Sequence, residues 1–205
     1  MDSGNVSAII SATAGLVGVV LGNSFVAIKE HVAGRRTRRE GTLYLGILVV
    51  SHLERFANGC VHVGQDDGTV RGRPAGADGQ YSTTTSPPEF LPLSISVDWK
   101  LLPADLLYPI LKLPDEQEGL QNWLAGISEN DDDYPDHTEL FWVRRKGYAE
   151  LGLTAERLAR NLRKYCSMPA ETPAEGDRSR TQILEHVVQE IDQKRADYER
   201  RQSSI

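Results

Sequence analysis

The sequence predicts a mainly α-helical protein. An N-terminal transmembrane helix continues into a long helix, packed antiparallel with later helices in an irregular helical bundle, and one long Gly/Pro/Ser/Thr loop interrupts the order. Three observations carry this expectation. Residues 3–28 contain no charged side chain. Apolar residues recur at helical steps over 45–63 and again over 148–165. Prolines avoid both stretches, since none precedes Pro74 and seven of the ten fall between Pro74 and Pro114. Composition removes other classes: two cysteines cannot build a disulfide scaffold, and a net charge of −6 argues against a nucleic-acid partner.

The first element is the apolar run. Residues 8–28 read AIISATAGLVGVVLGNSFVAI, which as a helix at about 1.5 Å per residue spans roughly 30 Å, the thickness of a bilayer's hydrocarbon core. Two readings compete with a membrane span. A cleaved signal peptide requires positive charge before the run, but Asp2 precedes it and Lys29, Arg35, Arg36, Arg38 and Arg39 follow it. The other is a buried Gly/Ala-rich helix of a soluble protein. For a span, the net charge of +3 over 29–40 sets the orientation, with everything after Ile28 cytoplasmic. Arg35, Arg36, Arg38 and Arg39 are then candidates for lipid-headgroup contact, at about 1 kcal/mol each, or else form a solvated helix stretch. Ala14, Gly18 and Gly22 repeat at four-residue spacing, a small-residue stripe that permits close packing of two spans and hence a homo-oligomer.

Beyond the basic juxtamembrane segment (29–42), a cytoplasmic helical domain is expected over 43–166. Leu45, Val49, Leu53, Phe56, Cys60 and Val63 predict that the first helix reaches about Val63, with Gly34, Gly41 and Gly46 loosening its joint to the anchor. The 65–92 segment lacks periodicity and is read as a flexible, exposed loop. Residues 91–97 alternate weakly, as in a short strand. Pro103 and Pro114 suit first-turn positions, predicting helices over 103–111 and 114–127. Their buried side would comprise Leu106, Leu107, Ile110, Leu111, Leu113, Leu120, Trp123 and Leu124.

Tyr148, Leu151, Ala155, Leu158, Leu162 and Tyr165 form a heptad seam on a helix over Thr138–Tyr165. It matches the 45–63 stripe in length, so the two helices are expected side by side and antiparallel; an intermolecular coiled coil is the alternative. A linker (167–177) then leads to an amphipathic C-terminal helix within 178–205, on which Ile183, Leu184, Val187, Val188 and Ile191 share a face. That face either docks on the bundle or binds a partner.

Chemistry is sparse. Cys60 and Cys166 lack a CxxC partner and read as free thiols at the core edge. The acidic stretch 129–139 is the one candidate metal site: Asp131, Asp133, Asp136, His137 and Glu139 have the oxygen and nitrogen inventory, without EF-hand or HExxH spacing. The competing reading is a solvated acidic loop that caps the helix starting at Thr138. Residues 98–139 carry a net −9 and 140–165 a net +5, so these neighbours are expected to pair across the bundle surface. Arg144, Arg145 and Lys146 are alternatively placed to bind phosphate or an acidic partner. No catalytic motif, and no cofactor, is indicated.

The segments Val97-Asp98-Trp99-Lys100 and Leu107-Tyr108-Pro109-Ile110-Leu111-Lys112-Leu113-Pro114, taken with the span and its basic flank, resemble uncharacterised small bacterial proteins with one membrane anchor and a cytoplasmic helical domain. The resemblance covers most of residues 5–165 and implies no activity. The expected role is therefore a single-pass protein of the bacterial inner membrane. Its cytoplasmic domain would act through contacts with an unknown protein partner or through self-association. An oligomeric membrane-perturbing effector with a sensing domain is the alternative, and a metal-dependent enzyme using 129–139 is the third reading.

Overall fold

The computed structural model describes residues 3–169 and 179–203, with side chains at 29 and from 31 onward. Four α-helices make up most of it: α1 (Ser3–Gln65), α2 (Ala104–Glu129), α3 (Thr138–Tyr165) and α4 (Arg180–Gln202). A two-residue hairpin joins β1 (Thr69–Val70) to β2 (Arg73–Pro74). Single 3-10 turns occur at Ala77–Gly79, Pro92–Ser94 and Trp99–Leu101. By internal contact the chain forms two compact units, Met1–Thr42 and Leu43–Ile205.

In the first unit, the described side chains up to residue 40 are exposed, including Arg35, Arg36, Arg38 and Arg39. Arg36 Nε donates to Glu40 Oε1 at 3.0 Å along the same helix face. Among the described residues, no helix is long and apolar enough to cross a membrane. The side chains of the expected span, with Ala14, Gly18 and Gly22, lie outside those described.

The second unit is a helical bundle with one continuous core. Leu45, Val49, Leu53, Phe56, Cys60 and Val63 are all buried, so the helical stripe read on α1 is a core face. Its counterpart on α3 is buried from Tyr148 to Leu162, while Tyr165 emerges and donates through its hydroxyl to the Leu101 carbonyl. The antiparallel pairing of the two stripes is visible at the glycines. Gly46 lies against Cys166, Gly152 against Cys60, and Gly64 against the Arg145 backbone, so α3 numbers fall as α1 numbers rise. A Cβ at Gly46 would stand 2.5 Å from Cys166 Sγ, and one at Gly152 would stand 2.9 Å from Cys60 Cβ. Gly46 is therefore a contact surface rather than a loosened joint. α2 and α4 both pack on α3, and α4 starts from a Ser179/Gln182 capping box that satisfies two of its terminal donors.

Four expectations are corrected. The two helices anticipated over 103–127 are one, with Pro109 and Pro114 inside α2. Each proline removes one internal hydrogen bond, but Ile110 and Leu113, both fully buried, hold the helix across the interruption. Residues 91–97 form no strand, because Pro92 starts a 3-10 turn and no sheet edge lies alongside. Trp123 is not on the buried side: it is 59% exposed. The charged neighbours also pair differently, since Arg144, Arg145, Lys146 and Arg163 on α3 find Asp66, Glu190, Asp192 and Glu54 rather than the acids of α2.

Candidate functional site

Two polar clusters flank α3, one at its first turn and one a turn further along. The first is the acidic stretch singled out above. Asp133 ends the turn as a cap: its Oδ2 accepts from Thr138 N at 2.9 Å, and its backbone carbonyl accepts from His137 N at 2.7 Å. The hydrogen bonds from Thr138 hold the Asp133 carboxyl below its ordinary range. His137 adopts a left-handed conformation, φ 51° and ψ 41°, as the residue before α3. This backbone geometry costs a non-glycine residue on the order of 1 kcal/mol, and the ring contacts offset it.

Those contacts fix the imidazole at both nitrogens. His137 Nδ1 lies 2.8 Å from Asp131 Oδ2, and its Nε2 lies 2.9 Å from Gln80 Nε2. With Gln80 donating, Nε2 accepts, so Nδ1 carries the proton and donates to Asp131. A carboxylate that orients a histidine is an arrangement used in general-base chemistry. Here Gln80 occupies the nitrogen that would act, and the group works as a latch between the 3-10 turn at Ala77–Gly79 and the start of α3. Tyr81 N, donating to the Pro135 carbonyl at 3.0 Å, closes the same seam.

The five metal candidates therefore do not converge. Asp131 serves His137, Asp133 serves the helix cap, and Glu139 accepts from Arg195 of α4 at 2.8 Å and 3.0 Å. Asp136 is exposed. Among the described residues, no group of three or more His, Cys, Asp or Glu side chains is placed to hold a metal ion. Cys60 is fully buried, and burial pushes its thiol pKa well up; burial raises that of Cys166 as well.

The second cluster was not visible in the sequence. Asp66, the residue after α1, is buried and accepts six hydrogen bonds. Thr84 and Thr85 each give a backbone N–H and a hydroxyl, at 2.7–3.0 Å, Gly68 N donates at 3.2 Å, and Arg144 Nη1 donates at 2.9 Å. Arg144 Nη2 also donates to the Thr85 carbonyl at 2.6 Å. Beside it, Arg145 Nε donates to the Gly64 carbonyl at 2.8 Å, one of the orphan acceptors at the end of α1. Burial raises the Asp66 pKa, but the donors of Thr84, Thr85 and Gly68 outweigh it and hold the carboxyl far below its usual range.

This hub reorganises the 65–92 segment, expected to be a flexible loop. It has no long element, yet its two ends and middle are tied to α1 and α3, Phe90 is buried against Phe56, and Gln117 of α2 donates to the Pro88 carbonyl at 2.5 Å. The hairpin turns through Arg71 and Gly72, both at positive φ, as a two-residue hairpin loop requires. Arg144 and Arg145 are thus structural cations, not a phosphate site. The partners lie 18 and 78 residues apart, and no local pattern signals such a contact. No family model, no curated protein and no solved structure matches the chain.

Proposed function

We propose that this protein is a membrane-anchored helical protein of the bacterial inner membrane, single-pass, with its C-terminal domain cytoplasmic. It acts through protein contacts, including self-association of its anchor. One observation carries the reading: the uncharged 3–28 window abuts a net-positive segment whose arginines are exposed, while the acidic charge sits in the bundle beyond. A lipid-soluble anchor, a collar for anionic headgroups and a polar domain are the order a single-pass protein with a cytoplasmic domain requires.

Membrane fractionation of the full chain tests the anchor. The protein should stay with the membrane pellet through alkaline carbonate, and a C-terminal tag should resist protease in intact spheroplasts. Release by carbonate overturns the reading. Crosslinking in the membrane should trap oligomers that Gly18→Leu depletes. Membrane depolarisation on expression, lost in Gly18→Leu, would select the membrane-perturbing effector instead.

A further inference from the structure

We propose that the groove between α2 and α3 around Trp123 receives a cationic amphipathic helix of a partner protein, an inference that rests on the reading that this chain acts through protein contacts. Trp123 walls three adjoining depressions of about 570, 320 and 310 Å³ along the α2–α3 seam. Its indole is mostly exposed, and the chain's own packing does not need it there. Gly119 and Gly126 precede and follow it by four and three residues, on the same face of α2, and a Cβ at either would meet nothing within 4 Å. Glycine inside a helix costs about 1 kcal/mol relative to alanine. Among the described residues no contact requires either glycine, and together they leave bare backbone on both sides of the ring. Leu120, Ile127 and Leu151 complete an apolar floor.

Charge selects the occupant. Glu116, Asp132 and Glu150 stand on the rim. α2 as a whole carries Asp105, Asp115, Glu116, Glu118 and Glu129 against Lys112 alone. Among the described residues, no ion pair involves Asp132 or the acids of α2, while Arg144, Arg145, Lys146 and Arg163 of α3 pair with Asp66, α4 and α1. Lys146 and Arg195, at one end of the groove, are paired with Asp192 at 2.5 Å and with Glu139 at 2.8 Å, and Glu150 lies 3.9 Å from Lys146. The groove is therefore an apolar trough with an exposed indole and, at Glu116 and Asp132, rim carboxylates that no described cation pairs with, the complement of a helix with Leu-type anchors flanked by Lys or Arg. The stretch from Glu116 to Asn130 gives roughly 20 Å of length, about four helical turns of contact.

The test uses the full chain in a nonionic detergent and a fluorescein-labelled synthetic peptide of Leu and Lys at helical spacing. Its anisotropy should rise saturably, less so at higher salt, and the analogue with Glu in place of Lys should not bind. Gly126→Leu fills open space on a helix, so the fold persists in a thermal melt while affinity falls about tenfold or more; Trp123→Ala should lose a similar factor. Absence of saturable binding, or equal binding by Gly126→Leu, overturns the proposal. A concentration-dependent dimer abolished by Gly126→Leu also overturns it, since the occupant is then a second copy. Membrane retention is read in the same preparations, so failure of the anchor and failure of the groove are separate outcomes.

Discussion

On α3, Arg144 and Arg145 are 5% and 8% exposed, and each reaches a carboxylate and a backbone carbonyl on another segment. On α2, packed against it, the acids Asp115, Glu116 and Glu118 face solvent with no described ion pair. The glycines divide the same way. Gly152 of α3 faces Cys60 and Leu184 at 2.9 Å, whereas Gly119 and Gly126 of α2 face empty space. α3 is the element around which the bundle is assembled, and α2 is the element that leaves chemistry outward. Polar groups and glycines thus carry opposite meanings on neighbouring helices, and the packing around each decides which.

The sharpest way to break this contrast is to cut the Asp66 hub. Asp66→Ala leaves Arg144 buried without its carboxylate, and should cost about 3–5 kcal/mol in denaturant unfolding, whereas Asp66→Leu combined with Arg144→Met should cost less than the single change. The same hub sets an acid sensitivity. The Asp66 pKa is lower folded than unfolded, so the unfolded chain binds the proton more readily. The resulting stability is fully present above about pH 4 and is lost as pH falls below it. Asp66→Asn should flatten that part of the stability profile, and an unchanged slope would sink the assignment.

Glycine exchanges give the next effects, of opposite sign. Gly152→Ala forces Cys60 and Leu184 aside and should destabilise by about 1–3 kcal/mol. Gly126→Ala meets nothing and should stabilise by about 0.5–1 kcal/mol. If both changes destabilise alike, Gly126 has a packing role and the distinction between the helices fails. The smallest effect belongs to the Glu139–Arg195 pair, whose side chains are 47% and 40% exposed. A double-mutant cycle there should return no more than about 1 kcal/mol, vanishing in high salt.

The two long stripes were legible because a helix that buries one face must repeat its apolar residues every three or four positions. Leu45 to Val63 and Tyr148 to Leu162 do so, and stripes of similar length bury each other best side by side. Pro109 and Pro114 misled because a proline rule describes an isolated helix, and burial of Ile110 and Leu113 overrode it. Trp123 sits at core spacing, yet among the described residues no further layer covers that face of α2. In the acidic turn at 129–139, Asp133 caps α3 through Thr138, while Asp131 and His137 are largely withdrawn from solvent rather than solvated. The partner of His137 on its other side, Gln80, was hidden by a separation of 57 positions along the chain. The Asp66 hub was hidden for the same reason, and polar loop composition gives no hint of which carboxylate will be buried.

The hub gives the 65–92 segment a property that its lack of secondary structure would not suggest. The amide protons of Thr84, Thr85 and Gly68 point into a buried carboxylate instead of water. Their exchange with deuterated solvent requires the hub to open, which also exposes Arg144 and the end of α1. These three amides should therefore exchange on the slow timescale of the bundle's helices, while Asp67 and the hairpin tip at Arg71 exchange quickly. A stretch of chain with the composition of a linker thus carries the deuterium signature of a core.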